Sequence, residues 1–118
     1  MFDPTNFRNL ASQLCSSEAD ETSLRTSIGR SYFSAFLSAR EKLDSLGHYH
    51  PKQRGEDHPG VRNALGYIGR SDLKNKLLGL SIRRGTADYD LNVTVTHEKA
   101  QAALQIANNL LSEIPSLT

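Results

Sequence analysis

Cysteine is almost absent from this 118-residue sequence, which contains Cys15 alone. A single cysteine cannot form an intramolecular disulfide, and without a second one a zinc site is not expected. His48, His50 and His58 invite a metal hypothesis, but an i, i+2 histidine pair in a segment rich in proline and glycine has weak ligand geometry. We therefore expect neither a metal nor another cofactor.

Long apolar runs are also missing, since none approaches the roughly 18 residues that a membrane-spanning helix needs. The first ten residues, MFDPTNFRNL, lack the basic and apolar regions of a secretion signal. Both absences predict a cytoplasmic protein without a membrane partner. With 37% hydrophobic and 23% charged residues the chain falls in the globular class, and its length predicts one domain over residues 1–118.

The common enzyme motifs are absent as well. The sequence has no phosphate loop ending in Gly-Lys-Ser/Thr, no Gly-x-Gly-x-x-Gly, no His-Glu-x-x-His and no Gly-x-Ser-x-Gly. These absences exclude the widespread nucleotide-dependent enzymes, zinc proteases and serine hydrolases that carry those motifs. Any activity must come from polar groups on elements that otherwise pack.

What the sequence does contain is helical periodicity. Asp3 is a plausible N-cap, with Pro4 at the first position of a short amphipathic helix that continues to Leu14. A longer amphipathic helix is predicted over Asp20–Leu46, where apolar residues recur at three- and four-residue intervals. Gly47 is expected to end it.

The segment from Gly47 to Gly60 has no apolar period and is predicted to be an exposed loop. A short helix with Val61 near its start should follow and end at Gly69. Ser71 and Asp72 are candidate caps for the next helix.

The last helix is the clearest element. Thr96 is its predicted N-cap, and Pro115 should end it. Its apolar stripe consists of Ala100, Ala103, Leu104, Ala107, Leu110, Leu111 and Ile114. No segment is a convincing strand, so the sequence predicts an all-α protein, an antiparallel up-and-down four-helix bundle with an extra short helix.

Charge is unevenly distributed although the net charge is only +1. Residues 59–84 contain six basic residues and a single acidic one, whereas the first 24 residues contain four acidic residues and one basic one. The basic block is either a solvated helix face or a surface for an anionic partner such as RNA.

The stretch SIRRGTADYD, residues 81–90, lies at the end of that block and has two interpretations. It could be an ordinary helix C-terminus, with the arginines favoured by the helix dipole and Gly85 ending the last turn. It could instead be a polar site. Arg84 and Asp88 are four residues apart and can pair on one helix face, as a surface salt bridge or as a buried lock.

Two segments taken together are similar to a known family. RTSIGRSYFSAFLSAREKL and, some forty residues later, SIRRGTADYDLNVTVTHEKAQAALQIANNLLSEI resemble the HEPN domain (higher eukaryotes and prokaryotes nucleotide-binding) in its small prokaryotic branch. The resemblance covers about residues 24–114. It rests on Arg-x-Tyr-aromatic, then Arg-x-x-x-Ala-Asp-Tyr-Asp, then Thr-x-Glu-x-Ala before an alanine-rich helix.

The resemblance implies a HEPN-like helical bundle that forms a homodimer with a polar cleft at the interface. Many members are metal-independent endoribonucleases, often toxins of toxin-antitoxin pairs or effectors of defence, and others are binding modules. An antitoxin or a nucleotidyltransferase is the partner protein that the family implies. In the nucleases the active motif is Arg, four to six residues, then His, because RNA cleavage needs an acid or base near neutral pKa and a fixed cation.

The sequence departs from that motif. Asp88 stands five residues after Arg83, where the histidine would be. An ordinary carboxylate is ionised at neutral pH, so it is a poor proton donor and repels phosphate. The departure favours a binding module for RNA, a nucleotide or a partner protein over a nuclease.

We predict that this module binds through Arg30, Tyr32, Arg84 and Tyr89. The alternative is a divergent endoribonuclease, in which Arg83 or Arg84 holds the phosphate and Asp88 takes the proton role. Tyr32 or Tyr89 would then orient the RNA backbone. Tyr32 and Phe33 can equally be core or interface aromatics.

Overall fold

The computed structural model describes residues 1–118 and is all-helical, as predicted. It contains five α-helices, a final 3₁₀ turn and no strand. The helices are α1 (Thr5–Leu14), α2 (Glu21–Ser45), α3 (Asp57–Tyr67), α4 (Ser71–Tyr89) and α5 (His97–Glu113), and the 3₁₀ turn covers Ile114–Ser116. None of the five is both long and apolar enough to span a membrane.

Helix α2 is the shared wall of the structure, because it packs against each of the other four helices. Its buried face alternates large residues with small ones, which lets neighbouring backbones approach closely. Ser27 is an example: it is fully buried, and its hydroxyl donates a 2.8 Å hydrogen bond to the backbone oxygen of Ala11 in α1. The core is a single cluster of buried residues that draws on α2, α3, α4 and α5.

Two predicted helix starts and one predicted stop are confirmed. The Asp20 carboxylate accepts a 2.8 Å hydrogen bond from the Ser23 amide at the start of α2, and the Thr96 hydroxyl accepts from the Lys99 amide at the start of α5. Gly47, just after α2, has φ +78°, a left-handed conformation that glycine adopts without steric cost. Local capping chemistry therefore sets these boundaries.

Two predicted boundaries at other helices are wrong. Pro4 is the N-cap of α1 rather than its first helical residue, and the Asp3 carboxylate accepts from the Thr5 amide and hydroxyl. Neither Ser71 nor Asp72 caps α4: both already lie inside the helix, and the Asp72 carboxylate accepts two 3.1 Å hydrogen bonds from the Arg70 side chain.

Gly85 does not end α4, which continues as α-helix to Tyr89. A glycine inside a helix costs only about 0.5–1 kcal/mol relative to alanine. Burial of Leu73, Leu77 and Leu80 before it, and of Ala87 after it, outweighs that cost. The stretch 81–90 is therefore continuous α-helix up to residue 89.

The predicted loop between Gly47 and Gly60 is shorter than expected, because α3 already begins at Asp57. Pro59 is compatible with this early start, since a first-turn residue needs no amide hydrogen bond. Asp57 is only 2% exposed and its carboxylate accepts from the Tyr49 hydroxyl at 2.5 Å and from the Lys52 and Gln53 amides at 2.9 Å. The segment before α3 thus folds around a buried carboxylate that the periodicity could not reveal.

Gly60 provides a test of that arrangement. A Cβ at this position would lie 2.6 Å from the Cε1 and hydroxyl oxygen of Tyr49, whose hydroxyl is held by Asp57. We expect Gly60→Ala to lower the free energy of unfolding by about 1–3 kcal/mol, because the ring cannot move without breaking that hydrogen bond. Urea denaturation measures the loss.

Gly55→Ala is the matched control, since nothing lies within 4 Å of its Cβ position and its φ is not in the left-handed range. Its effect should stay within about 0.5 kcal/mol of zero. Equal losses in the two variants would contradict the Tyr49 packing.

Candidate functional site

Arg84, on α4, lies against the aromatic face of α2. Its Nη1 donates a 3.2 Å hydrogen bond to the Asp88 carboxylate, which confirms that the two residues pair. Its guanidinium carbon lies 5.7 Å from the centre of the Tyr32 ring and 5.4 Å from that of Phe33. Arg84 and Asp88 both lie close to the α2 backbone at Gly29, where an added Cβ would be in ordinary contact, 4.0 Å from each.

A second arginine stacks on the same aromatic surface. The Arg30 guanidinium carbon lies 5.2 Å from the Phe33 ring centre and 4.8 Å from that of Phe7 in α1. Arg30 forms no ion pair, unlike Arg84, which is held by Asp88. Phe33 is therefore a half-buried ring flanked by two guanidinium groups, the residue combination that stacks on nucleic-acid bases.

Tyr32 lies beneath this surface and is fully buried. Its ring stacks on Phe36 and on His58, with centroids 5.6 and 5.7 Å away. Its hydroxyl makes a 2.5 Å hydrogen bond with His58 Nδ1, and burial raises the pKa of the phenol. A side chain with no exposed surface cannot touch a ligand, so Tyr32 positions its neighbours.

His58 and Phe33 are the two residues of this site that are not among the predicted site residues, and His58 falls in the segment predicted to be an exposed loop. It lies in the first turn of α3, half-buried, with its ring stacked 4.4 Å from Phe36. Burial lowers its pKa, and the nearby charges of Arg84 and Arg62 lower it further. The sequence signal for His58 is its four-residue spacing from Arg62. Because α3 begins at residue 57, this spacing places the two residues on one face of the helix.

We call Arg30, Tyr32, Phe33, His58 and Arg84 the arginine–aromatic cluster. It brings together three of the six predicted site residues, and Asp88 borders it through Arg84. The other two lie elsewhere on α4.

Arg83 points to a different face from Arg84. It lines a cavity of about 190 Å³. The other lining residues are Ile28, Ile82, Thr86, Ala87, Val93, Val95 and Lys99. Tyr89 is 78% exposed and borders a shallow depression with Gly85 and Leu91. Within one chain, neither residue belongs to the arginine–aromatic cluster.

The end of α4 is held in place by Arg25, a residue that is not among the predicted site residues. Its guanidinium donates to the backbone oxygens of Ala87, Asp90 and Val93 at 2.9, 3.1 and 2.6 Å. Glu21 orients it by accepting a 3.0 Å hydrogen bond from Nε. These bonds satisfy carbonyls that the helix terminus leaves free, and they fix residues 87–93 against α2.

Comparison with known proteins adds no assignment: no family model, no curated protein and no solved structure matches the chain.

The lowered pKa of His58 predicts how stability depends on pH. Below the ordinary value of 6.5 the unfolded chain binds the His58 proton more readily than the folded chain. The contribution of neutral His58 to the free energy of unfolding is therefore complete above about pH 6.5. It is lost as the pH falls from there through the folded-state pKa of His58. Urea unfolding between about pH 7.5 and pH 5 should show this decline.

The same titration with His58→Gln is the comparison. The variant should lose less stability across the window than the original chain, because glutamine does not titrate. Parallel declines in both proteins would show that His58 is not the group responsible.

Proposed function

We propose that this chain is a HEPN-like module that binds single-stranded RNA as a homodimer and does not cut it. In this proposal the helices form the up-and-down bundle of that family, with α1 as the extra short helix. The observation that carries the proposal is Phe33, with the guanidinium groups of Arg30 and Arg84 at 5.2 and 5.4 Å from its ring centre. The resemblance over residues 24–114 gives independent support.

An aromatic ring between two arginines suits single-stranded RNA because it offers both kinds of contact that such a strand makes. A base stacks on the exposed part of the ring, and the cations contact the phosphates on either side. Stacking is worth about 1–3 kcal/mol per base and requires no particular sequence. Arg30 is free for this contact, since no carboxylate of the chain pairs with it.

Asp88 supports binding over cleavage. The nuclease alternative needs its carboxylate in an open cleft, free to exchange protons with the RNA. Its 3.2 Å hydrogen bond from Arg84 instead engages it with a cation of the same helix. An aspartate held in this way is poorly placed as a general acid or base.

The dimer part of the proposal is supported by the outer face of α4. Leu78, Ile82, Gly85 and Tyr89 recur at spacings of four, three and four residues, as along the seam of a coiled coil. The three large side chains of this stripe are exposed, Ile82 at 62%. Pairing α4 with α4 of a second copy would cover the stripe and bring Arg83 of each subunit toward the interface. The antitoxin or nucleotidyltransferase partner stays a prediction from the resemblance.

RNA binding is tested by fluorescence anisotropy with a labelled single-stranded oligonucleotide in EDTA. Phe33→Leu keeps an apolar side chain but removes the stacking ring, and should weaken binding by about 1–3 kcal/mol. Arg30→Gln should reduce the slope of log affinity against log salt by about 0.7, the value for one phosphate contact on a single strand.

Arg54→Gln is the matched control, because Arg54 is an exposed arginine in the loop before α3, with its side chain 72% accessible. It should leave affinity and salt slope unchanged. Binding of a nucleotide or of a protein without any RNA binding would overturn the proposal. RNA fragments that disappear with Arg83→Ala and Asp88→Ala would establish the nuclease alternative.

The dimer is tested by light scattering at micromolar concentration. The chain should have twice the 13.0 kDa mass of one copy, and Ile82→Glu should shift it to the monomer by placing a charge in the apolar contact. Gln101→Glu, a charge change at an exposed position of α5, should remain dimeric. A monomeric mass for the unchanged chain would contradict the α4 interface.

A further inference from the structure

Arg62 is a cation without a partner. It lies on α3, half-buried, and forms neither an ion pair nor a hydrogen bond with any residue of the chain. It is four residues after His58, so the two side chains share one face of the helix. Its charge is close enough to lower the pKa of His58 and to act on Tyr32.

Arg84 also has unused hydrogen-bonding capacity beside His58. Its Nη1 pairs with Asp88, whereas its Nη2 has no partner in the chain and is not sealed from solvent. The Tyr32 ring lies within 5.7 Å of both the Arg84 guanidinium carbon and the centre of the His58 ring. Arg62 and Arg84 therefore both carry unpaired donors in the neighbourhood of His58.

His58 can supply a third donor. Its Nδ1 is hydrogen-bonded to the Tyr32 hydroxyl, whereas Nε2 has no partner in the chain and is not sealed from solvent. When a neutral ring accepts the phenol proton at Nδ1, it carries its own proton on Nε2. The imidazole then donates a hydrogen bond even without a positive charge.

The carboxylates near these donors already have hydrogen-bond partners within the chain. Asp57 faces His58, but its two carboxylate oxygens accept three hydrogen bonds from Tyr49, Lys52 and Gln53. Asp88 is occupied by Arg84. The region around His58 thus has an excess of cations and lacks an acceptor for Arg62.

We propose that His58, Arg62 and Arg84 form a binding site for a phosphate group. Guanidinium groups match phosphate oxygens through paired N–H donors, and the neutral imidazole adds one more. This inference rests on the proposed function and deepens it: the phosphate is that of a bound RNA, whose base stacks on Phe33 beside Arg84. Tyr32 is a positioning residue that orients His58 from below.

The pH response of such a site follows from the groups that face His58. These are Tyr32 and Arg40 on α2, Asp57 and Arg62 on α3, and Arg84 on α4. In the free protein the three arginines and burial oppose protonation of the imidazole, while Asp57 favours it. A phosphate bound among the arginines would neutralise their field, so His58 should become easier to protonate.

The experiment follows the His58 ring protons by NMR while inorganic phosphate is added at constant ionic strength. We expect a saturable shift of the His58 resonances and a higher titration midpoint with phosphate than with chloride. Arg62→Gln should weaken the phosphate affinity at least about fivefold, whereas Arg54→Gln should not change it. Arg62→Lys, which keeps the charge but not the paired donors, should retain part of the affinity.

No phosphate-dependent shift of His58, or equal weakening by Arg62→Gln and Arg54→Gln, would overturn the site. The presence or absence of the His58 shift is measured on the unchanged chain, so this part of the test does not depend on how well the variants fold. Weak phosphate binding of the kind that any exposed arginine shows, with the same affinity in Arg62→Gln as in the unchanged chain, also counts against the site.

Comparison of two RNAs separates this inference from the proposed function. An oligonucleotide with a 5′-phosphate and one with a 5′-hydroxyl distinguish a terminal phosphate from a backbone phosphate as the group that is held. If Arg62→Gln binds RNA as tightly as the unchanged chain, the phosphate site is contradicted but the proposed function is not. If phosphate binds at His58 but RNA does not bind, only the proposed function is contradicted.

Discussion

The buried hydroxyl of Tyr32 is the constraint on which the arginine–aromatic cluster depends. A phenol with no access to water needs a hydrogen-bond partner inside the protein, because leaving it unpaired costs about 1–3 kcal/mol. His58 provides that partner from the first turn of α3. The bond joins α2 to α3, and the Arg84 guanidinium of α4 lies 5.7 Å from the centre of the Tyr32 ring. One satisfied polar group therefore aligns three helices around the same surface.

Helix α2 also holds α4 through contacts near its own N-terminus. Arg84 and Asp88 lie close to the α2 backbone at Gly29. Arg25, one turn earlier, reaches the carbonyls at the end of α4 and the residues that follow. These contacts fix the direction in which α4 ends. Because successive residues of a helix point about 100° apart, Arg84 faces α2 whereas Arg83 faces the cavity beside Val93 and Lys99.

Helix ends that depend on local capping can be predicted from the sequence, whereas those that depend on long-range packing cannot. Asp20, Thr96 and Gly47 were predicted at the correct helix ends because capping depends on a few neighbouring atoms. The start of α3 was not predicted because it depends on Asp57. The hydrogen-bond partners of Asp57 lie in the preceding loop, and the buried carboxylate leaves no mark in the spacing of apolar residues. Gly85 was expected to interrupt α4, but the packing of leucines on that helix outweighs the preference of one residue.

The sequence by itself determined the all-helical class, the extent of α2 and α5, and the selection of Arg30, Tyr32 and Arg84 as residues to consider. These follow from periodicity, capping and the short pattern of charged and aromatic residues, all of which act within one helix. Only the tertiary structure decided that His58 and Phe33 belong with them, that Tyr32 is buried, and that Arg83 is not part of the cluster. Such groupings arise between helices, because a side chain's neighbours across an interface depend on how whole helices pack and not on residues beside it in the chain.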